Sequence, residues 1–304
     1  MIRDPYGRPV TSIRVSVTQR CNLCCFYCHK EGWGNSGHEE MTPIEIERVI
    51  NVAAFFGVTK VKLTGGEPLL RSDILDIVRR ISGVDGVSEV SMTTNGTLLG
   101  NLAGHLKDAG LARVNVSLDT LNPQTYKLIT GVDLLPRVIS GIKEAEKAGL
   151  SPVKVNMVLL KGVNHDQVWE MVNFTRENGL ILQLIELESV SEDEIYKRYH
   201  INLKGIEDEL EKKAEKIIVR SMHHRRRYFL SEGTEVEVVR PMHNTEFCMN
   251  CNRIRVTSDG KFKSCLFRND NLVDFLTSMR AGASRETLKK LFLEAVKERK
   301  PYFM

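Results

Sequence analysis

The sequence predicts an α/β fold: an open, incomplete barrel of six βα units followed by a smaller α+β extension. Three observations carry that prediction. Between Val10 and about Glu188, short β-branched runs alternate with stretches whose apolar residues recur at helical spacing. Six such units imply a parallel sheet with helices outside, and they fall short of the eight that close a barrel. The polar clusters of this region fall where strands end, as they do when a site is built at one mouth of a barrel rather than in a doubly wound sheet.

Taken in order, the first strand is read at Ser12–Val17, and Cys21, Cys24, Cys25 and Cys28 follow it. Thr42 caps a helix with Pro43 in its first turn and Glu45 three residues after the cap; Ile46, Val49, Ile50 and Ala53 form its apolar face. The second strand, Lys60–Thr64, runs into Gly65-Gly66-Glu67-Pro68. A helix at Asp73–Ile81 leads to a strand at Val87–Thr93, which ends in Thr93-Thr94-Asn95-Gly96, a sequence that alone reads as a turn. A helix at Leu98–Ala109 precedes the fourth strand, Arg113–Leu118, with Ser117 and Asp119 at its end. Leu135, Val138, Ile139 and Ile142 mark a helix that closes near Gly149. The strand Val153–Val158, the helix His165–Asn178 and the strand Ile181–Leu187 complete the six units, with Glu186 and Glu188 at the last strand end.

After Ser189 the texture changes. Ser189–Tyr199 is acidic and weakly patterned and reads as a linker or mobile loop. A helix about Leu203–Ala214 and strands near Lys216–Arg220, Arg227–Leu230 and Glu235–Arg240 follow, and an amphipathic helix at Ser284–Glu298 closes the chain. The expected domains are therefore 1–188 and 189–304. Inside the extension, His223-His224-Arg225-Arg226-Arg227 reads first as a solvated hairpin, with extension of an anion site as the alternative.

The 304 residues are 42% hydrophobic and 27% charged, which excludes collagen-like, disordered and low-complexity classes. A chain this long buries about 75% of its unfolded surface. No apolar stretch approaches a transmembrane span, and Met1-Ile2-Arg3-Asp4-Pro5 has neither the apolar core nor the cleavage site of a signal peptide. The expected location is the cytoplasm. A net charge of +4 is too small to point to nucleic acid but suits a small anionic ligand.

Seven cysteines stand in two groups, four within Cys21–Cys28 and three, Cys248, Cys251 and Cys265, more than 200 residues on. An odd total in a reducing compartment argues against disulfides. Metal or iron–sulfur ligation fits better, three thiolates to each centre, with Cys24 left over as a small buried residue. A zinc site is the alternative for either group; His243 is available as a fourth ligand to the second.

Cys21-x3-Cys25-x-Tyr27-Cys28, followed by a strand and Gly65-Gly66-Glu67-Pro68, resembles the radical S-adenosylmethionine superfamily. The second motif is more specific. Cys248-x2-Cys251-x-Arg253-x-Arg255-x-Thr257-Ser258-Asp259-Gly260, running into Cys265-Leu266, resembles the GTP 3′,8-cyclase family, molybdenum cofactor biosynthesis protein A; the likeness extends from Tyr6-Gly7-Arg8-Pro9 to Cys265.

That resemblance implies a TIM-like (βα)6 partial barrel, a second iron–sulfur site in the C-terminal extension, and a lyase. Cys21, Cys25 and Cys28 would hold one 4Fe–4S cluster, whose open iron binds S-adenosyl-L-methionine; Cys248, Cys251 and Cys265 would hold a second, facing the substrate. Tyr27, Gly66, Glu67, Ser117 and Glu188 would contact S-adenosylmethionine. Arg14, Lys62, Thr93, Lys154, Arg253, Ile254 and Arg255 would hold GTP. The implied chemistry is borne by the clusters, with no acid/base residue. A 5′-deoxyadenosyl radical takes hydrogen from ribose C3′, and the ribose carbon closes onto guanine C8, giving (8S)-3′,8-cyclo-7,8-dihydroguanosine 5′-triphosphate. The implied partners are an electron donor and a downstream cyclic pyranopterin monophosphate synthase. The sequence departs from the family at Gln183 and Glu188, where an arginine and a methionine are frequent, and at Lys300-Pro301-Tyr302-Phe303-Met304, where bacterial members carry Gly-Gly.

The charge pattern agrees independently. A triphosphate carries about four negative charges, which a dry site must meet with cations. Arg14, Lys62 and Lys154 all fall on predicted strands of a parallel sheet, where cations are otherwise disfavoured. The rivals are another two-cluster radical enzyme acting on a peptide or RNA, and a zinc-dependent binding module.

Overall fold

Ile13 and Val15 alternate with Ser12, Arg14 and Ser16 along the first strand, and this two-faced pattern organises the molecule. The computed structural model describes residues 1–32, 39–189 and 191–304. In it β1 (Ser12–Ser16), β2 (Lys60–Thr64), β3 (Glu89–Thr94), β4 (Arg113–Ser117), β5 (Lys154–Leu159) and β6 (Ile181–Glu186) lie side by side in chain order, all parallel. One face of each strand is buried in the apolar core, through pairs such as Val61 and Leu63 or Val114 and Val116. Each such side chain, taken fully from water, contributes about 1.5–3 kcal/mol. The other face, carrying Arg14, Lys62 and Asn115, lines a central cavity. Parallel strands usually read as continuous apolar runs because both faces are covered. Here the inner face is polar because it encloses a site.

The extension adds to the same sheet. Its strands are β7 (Lys216–Val219), β8 (Arg226–Phe229), β9 (Glu235–Val239), β10 (Arg253–Val256), β11 (Lys261–Lys263) and β12 (Val273–Asp274). β9 pairs parallel with β6 and β10 pairs parallel with β1, so the C-terminal chain supplies one parallel strand to each edge of the six. Antiparallel β8 and β7 continue beyond β9, and β11 and β12 beyond β10, giving the order β12-β11-β10-β1-β2-β3-β4-β5-β6-β9-β8-β7. Eight parallel strands therefore flank the cavity, and the barrel stays open because β12 and β7 end the sheet.

The helices follow from local chemistry. In α1 (Pro43–Phe55) the expected capping box is complete: the Glu45 amide donates to Thr42 Oγ1 (3.3 Å) and the Thr42 amide to Glu45 Oε2 (2.7 Å). α2 (Ile74–Ser82) buries Ile74, Ile77, Val78 and Ile81, while α3 (Leu99–Asp108) starts one residue inside its expected range. A helix absent from the sequence reading, α4 (Pro123–Thr130), is capped by Asn122 and ended by Gly131 at φ 80°. α5 (Leu135–Lys147) and α6 (Val168–Glu177) follow.

Where a linker was expected, α7 (Glu194–Tyr199) forms instead. Asp193 accepts from the Tyr196 amide at 3.0 Å, and the Tyr196 ring is buried. Position 190 of that stretch lies outside the described residues. α8 (Lys204–Lys213), the short α9 (Thr245–Met249) and α10 (Leu276–Arg280), and α11 (Arg285–Lys297), capped by Ser284, complete the chain. Phe292 of α11 stacks on Phe56 (ring centroids 5.4 Å apart) and meets Phe262 edge-on, fastening the last helix to α1 and β11. Among the described residues, no helix is long and apolar enough to cross a membrane.

Candidate active site

The cysteine-bearing loop after β1 is held by backbone-to-backbone contact with the loop after β2. The Gly66 amide donates to the Thr18 carbonyl (2.8 Å) and the Glu67 amide to the Arg20 carbonyl (2.7 Å). A Cβ on Gly65, whose φ is 152°, would lie 2.3 Å from the Thr18 oxygen; one on Gly66 would lie 2.2 Å from the Arg20 oxygen. Only glycine permits this approach. The Gly66 amide is thus already used within the protein, although Gly66 itself borders the cavity.

Glu67 also departs from expectation. Its side chain is completely buried and is not on the cavity wall. The carboxylate accepts from the Leu69 amide (3.0 Å), Thr94 Oγ1 (2.7 Å) and the Asn95 amide (2.7 Å), joining the ends of β2 and β3. Burial pushes it up to about 7 against the pull of these donors. Asn95 in turn donates to Asn22 Oδ1 (2.8 Å) and reaches Cys21 Sγ (3.9 Å), so Glu67 steadies the cysteine loop through Asn95. Glu67→Gln points an N–H at one of these donors and should cost about 1–3 kcal/mol, read as a lower Tm by thermal unfolding.

Cys21, Cys25, Cys28, Cys248, Cys251 and Cys265 all line one cavity of about 640 Å³. Cys24 does not, and it is exposed rather than buried, its amide tied to the Thr130 carbonyl at 2.9 Å. Partial loss of solvent raises Cys21, Cys25 and Cys28, although Cys21 and Cys28 keep exposed surface, and neighbouring negative groups add to it: Glu67 and Cys28 at Cys21, and Asp119, Cys28 and Cys21 at Cys25. Burial likewise raises Cys265, with Cys251 and Cys248 contributing. Cys251 is lowered, because Arg299, Arg253 and Arg8 outweigh its burial. Each trio is close enough for its members to feel one another, and thiols held in this way lose their protons to a metal. Among the described residues no three His, Cys, Asp or Glu side chains gather around a single-ion site. Two open trios of thiols suit a bulkier iron–sulfur cluster with one iron left for another ligand. His243, the candidate fourth zinc ligand, is turned away: it is exposed and its Nε2 meets Glu192 at 2.9 Å.

Strand register assembles the cations. Arg14 is paired with Arg255 of β10 on one side and Lys62 of β2 on the other, and Arg253 is paired with Ser12. Neighbouring strands lie about 4.8 Å apart, so Arg255, Arg14 and Lys62 form one row on the cavity face. Burial, and after it Arg113, Arg14, Arg253 and Lys154, push Lys62 well below its ordinary value. Arg14 and Arg253 are lowered by burial and by the arginines beside them.

Three carboxylates partly offset this charge, one of them Glu89, paired with Arg113 at 2.7 Å. Glu31 places Oε2 2.6 Å from Arg255 Nη1 and Oε1 3.6 Å from Arg14; although burial opposes it, Arg255, Arg14 and His29 hold it at about 2. Glu237, completely buried, meets Lys154 at 2.7 Å and both Arg220 and Arg225 at 3.1 Å. Arg253 makes no ion pair among the described residues, and the site retains a cation surplus that a polyanion would neutralise.

The remaining expected residues divide. Tyr27, Thr93, Ser117, Lys154 and Glu188 line the cavity; the Tyr27 hydroxyl donates to Asp119 at 2.6 Å, and burial pushes Asp119 up to about 6. Ile254 does not: strand alternation turns it into the core between Arg253 and Arg255. The basic run, read first as solvated, divides: His224 and Arg226 are exposed, while His223 and Arg225 enter the site as the alternative anion-site reading has it. His223 is buried on the cavity wall beside the half-buried Arg220 and Arg225, and burial followed by Arg253 and Arg225 pushes His223 well below its usual value. Arg113 was also missed, although its alternation with Val114, Asn115 and Val116 was a readable signal. Lys300 and Tyr302 reach the wall as well.

Comparison with known proteins supplies a second line of information. The model of the radical SAM superfamily matches residues 15–175, and that of the molybdenum cofactor synthesis C domain matches residues 180–304. A probable GTP 3′,8-cyclase of Thermococcus kodakarensis is 53% identical over the whole of both chains. Probable GTP 3′,8-cyclases of Methanothermobacter marburgensis (52%) and Methanocaldococcus jannaschii (47%) each match across 99% of both chains. Among solved structures, anSMEcpe with bound AdoMet aligns with a TM-score of 0.69 at 16% identity, covering 96% of this chain and 81% of that one. Streptococcus suis SuiB bound to its precursor peptide aligns with a TM-score of 0.67 at 18% identity, over 88% of this chain and 63% of SuiB. At such identities these two structures speak for the fold alone.

Proposed function

The chain belongs to the radical SAM superfamily and, within it, to the GTP 3′,8-cyclase family, and on that footing we propose how its residues divide the work of converting GTP to (8S)-3′,8-cyclo-7,8-dihydroguanosine 5′-triphosphate, the first step of molybdenum cofactor biosynthesis. Cys21, Cys25 and Cys28 hold the 4Fe–4S cluster that receives S-adenosylmethionine, and Cys248, Cys251 and Cys265 hold the second. When bound, the first cluster would supply the electron that cleaves S-adenosylmethionine, the chemistry that opens the way to hydrogen abstraction from the ribose.

The chain's own residues bind, orient and neutralise. Tyr27, Gly66, Ser117 and Glu188 border the S-adenosylmethionine side, Tyr27 oriented by Asp119, while Glu67 acts from behind as a positioning residue. Arg14, Lys62, Thr93, Lys154, Arg253 and Arg255 take GTP, joined by Arg220, His223 and Arg225. The observation that carries this reading is that all six ligand cysteines share one cavity with the row Arg255–Arg14–Lys62. Glu31 gives further support: Arg255 already donates to its carboxylate and Arg14 lies beside it, so these guanidinium groups are placed to donate to anionic oxygens such as those of phosphate.

Residues 1–188 are assigned the S-adenosylmethionine chemistry, and residues 189–304 the second cluster and the substrate arginines. The reaction also needs a one-electron donor, and its product passes to a cyclic pyranopterin monophosphate synthase. We place it in the cytoplasm, where the cysteines assigned to the clusters stay reduced.

The test is anaerobic reconstitution followed by incubation with S-adenosylmethionine, dithionite and GTP. Roughly eight irons per chain and 5′-deoxyadenosine whose formation depends on GTP are expected. Formation of 5′-deoxyadenosine with no response to GTP points to the peptide- or RNA-modifying rival; one or two zincs and no iron defeat the assignment.

A further inference from the structure

Arg299, on the segment leaving α11, is completely buried, a costly place for a charge that meets no substrate. Its Nη1 lies 3.0 Å from Asp4 Oδ2 and donates to the carbonyls of Arg8 and Pro9 at 3.3 and 3.4 Å; its Nη2 donates to the Cys251 carbonyl at 2.7 Å. Arg8, also buried, grips the same carboxylate from Nε at 2.8 Å and donates from Nη1 to the Cys248 carbonyl at 2.9 Å. The two cysteines that open the second trio are therefore each held at the backbone by one arginine, and one aspartate bridges the pair. Arg299 Nε–H is buried with no protein acceptor. Arg299 and Asp4 lie behind the cavity wall.

We propose that the Arg8–Asp4–Arg299 bridge sets the reduction potential of the second cluster, its charge favouring the reduced state. The proposal rests on the reading that Cys248, Cys251 and Cys265 hold that cluster. Reduction adds one electron from the external donor and leaves the cluster with its thiolates one unit more negative. Two arginines against one carboxylate leave one net positive charge, in a buried setting where it acts with little screening. Charge and hydrogen bonding around the ligands are among the means by which a protein tunes such centres. Arg299 is thus a positioning residue that also acts electrostatically.

The test is a redox titration followed by electron paramagnetic resonance. The full-length chain carries Cys21→Ala, Cys25→Ala and Cys28→Ala, so that the second cluster alone is present after anaerobic reconstitution with iron and sulfide. Arg299→Met should move the midpoint to more negative potential, and Arg299→Lys should restore most of the shift. Asp4→Asn, which removes the countercharge from a side chain of the same shape, should move it to more positive potential.

Opposite signs for Arg299→Met and Asp4→Asn identify an electrostatic role, since structural damage alone would give no such sign reversal. An unmoved potential, or shifts of the same sign, overturns the proposal. Should Arg299→Met fail to fold, Asp4→Asn decides alone: a positive shift supports the proposal, and a negative shift or none overturns it. A background chain that assembles no cluster overturns the assignment of Cys248, Cys251 and Cys265 and this proposal with it. That result is distinct from an assembled cluster whose potential does not respond.

Discussion

Replacing Arg253 and Arg255 together by methionine should weaken GTP binding by ~10²–10⁴-fold and abolish GTP-dependent formation of 5′-deoxyadenosine. The magnitude follows from two charge-assisted contacts to phosphate oxygens, each worth about 1.5–3 kcal/mol, with 1.4 kcal/mol for each tenfold change. Isothermal titration with GTP under anaerobic conditions measures it. The single variant Arg253→Met carries a companion expectation of opposite sign. Arg253 is half-buried beside Arg14 and Arg255, its charge disfavoured first by lost solvation and then by those neighbours. Removing it should therefore raise the Tm of the ligand-free chain while lowering GTP affinity. A fall in both would mean that Arg253 holds the fold together rather than the substrate, and the phosphate assignment would have to be withdrawn.

The second large effect concerns the first cysteine loop. Cys25→Ala should lower the iron content of reconstituted protein from roughly eight to roughly four per chain and reduce S-adenosylmethionine cleavage to background. Cys24→Ala, one residue away, should change neither, because Cys24 faces outward and borders no part of the cavity. Iron analysis and 5′-deoxyadenosine release on the two variants provide the comparison. Equal losses would show that the loop tolerates no change at all, and the division between ligand and bystander would fail.

Much of this site was legible before any coordinates. The six strand positions follow from β-branched runs with polar residues at every second place, a pattern set by the strand's own geometry. The cap of α1 was readable because Thr42, Pro43 and Glu45 act within a single turn. The cysteine trios and the Arg253–Arg255 pair stand at short spacings, and short spacings survive folding. The readings that needed correction depend on contacts between distant segments. Glu67 matched a motif for ligand contact, yet its carboxylate is spent on Thr94 and Asn95. His223 and Arg225 looked like a solvated run because nothing local reveals that β9 will dock against β6 and carry their hairpin over the cavity. The helix α7 was hidden in an acidic stretch whose helix-forming feature, Asp193 capping Tyr196, is weak without the burial of that tyrosine.

By itself the sequence determined the chemistry: six thiols in two trios, a glycine pair that lets two loops touch, and basic residues on strands where cations are otherwise disfavoured. Those features depend on residue type and near-neighbour spacing, which the chain carries in one dimension. Only the tertiary structure decided that the extension splits to both edges of the sheet, that Arg255, Arg14 and Lys62 stand in one row, and which carboxylates, Glu31, Glu89 and Glu237, sit among the cations. Register between strands more than 200 residues apart is set by packing the apolar faces of the whole sheet at once, so no local pattern encodes it.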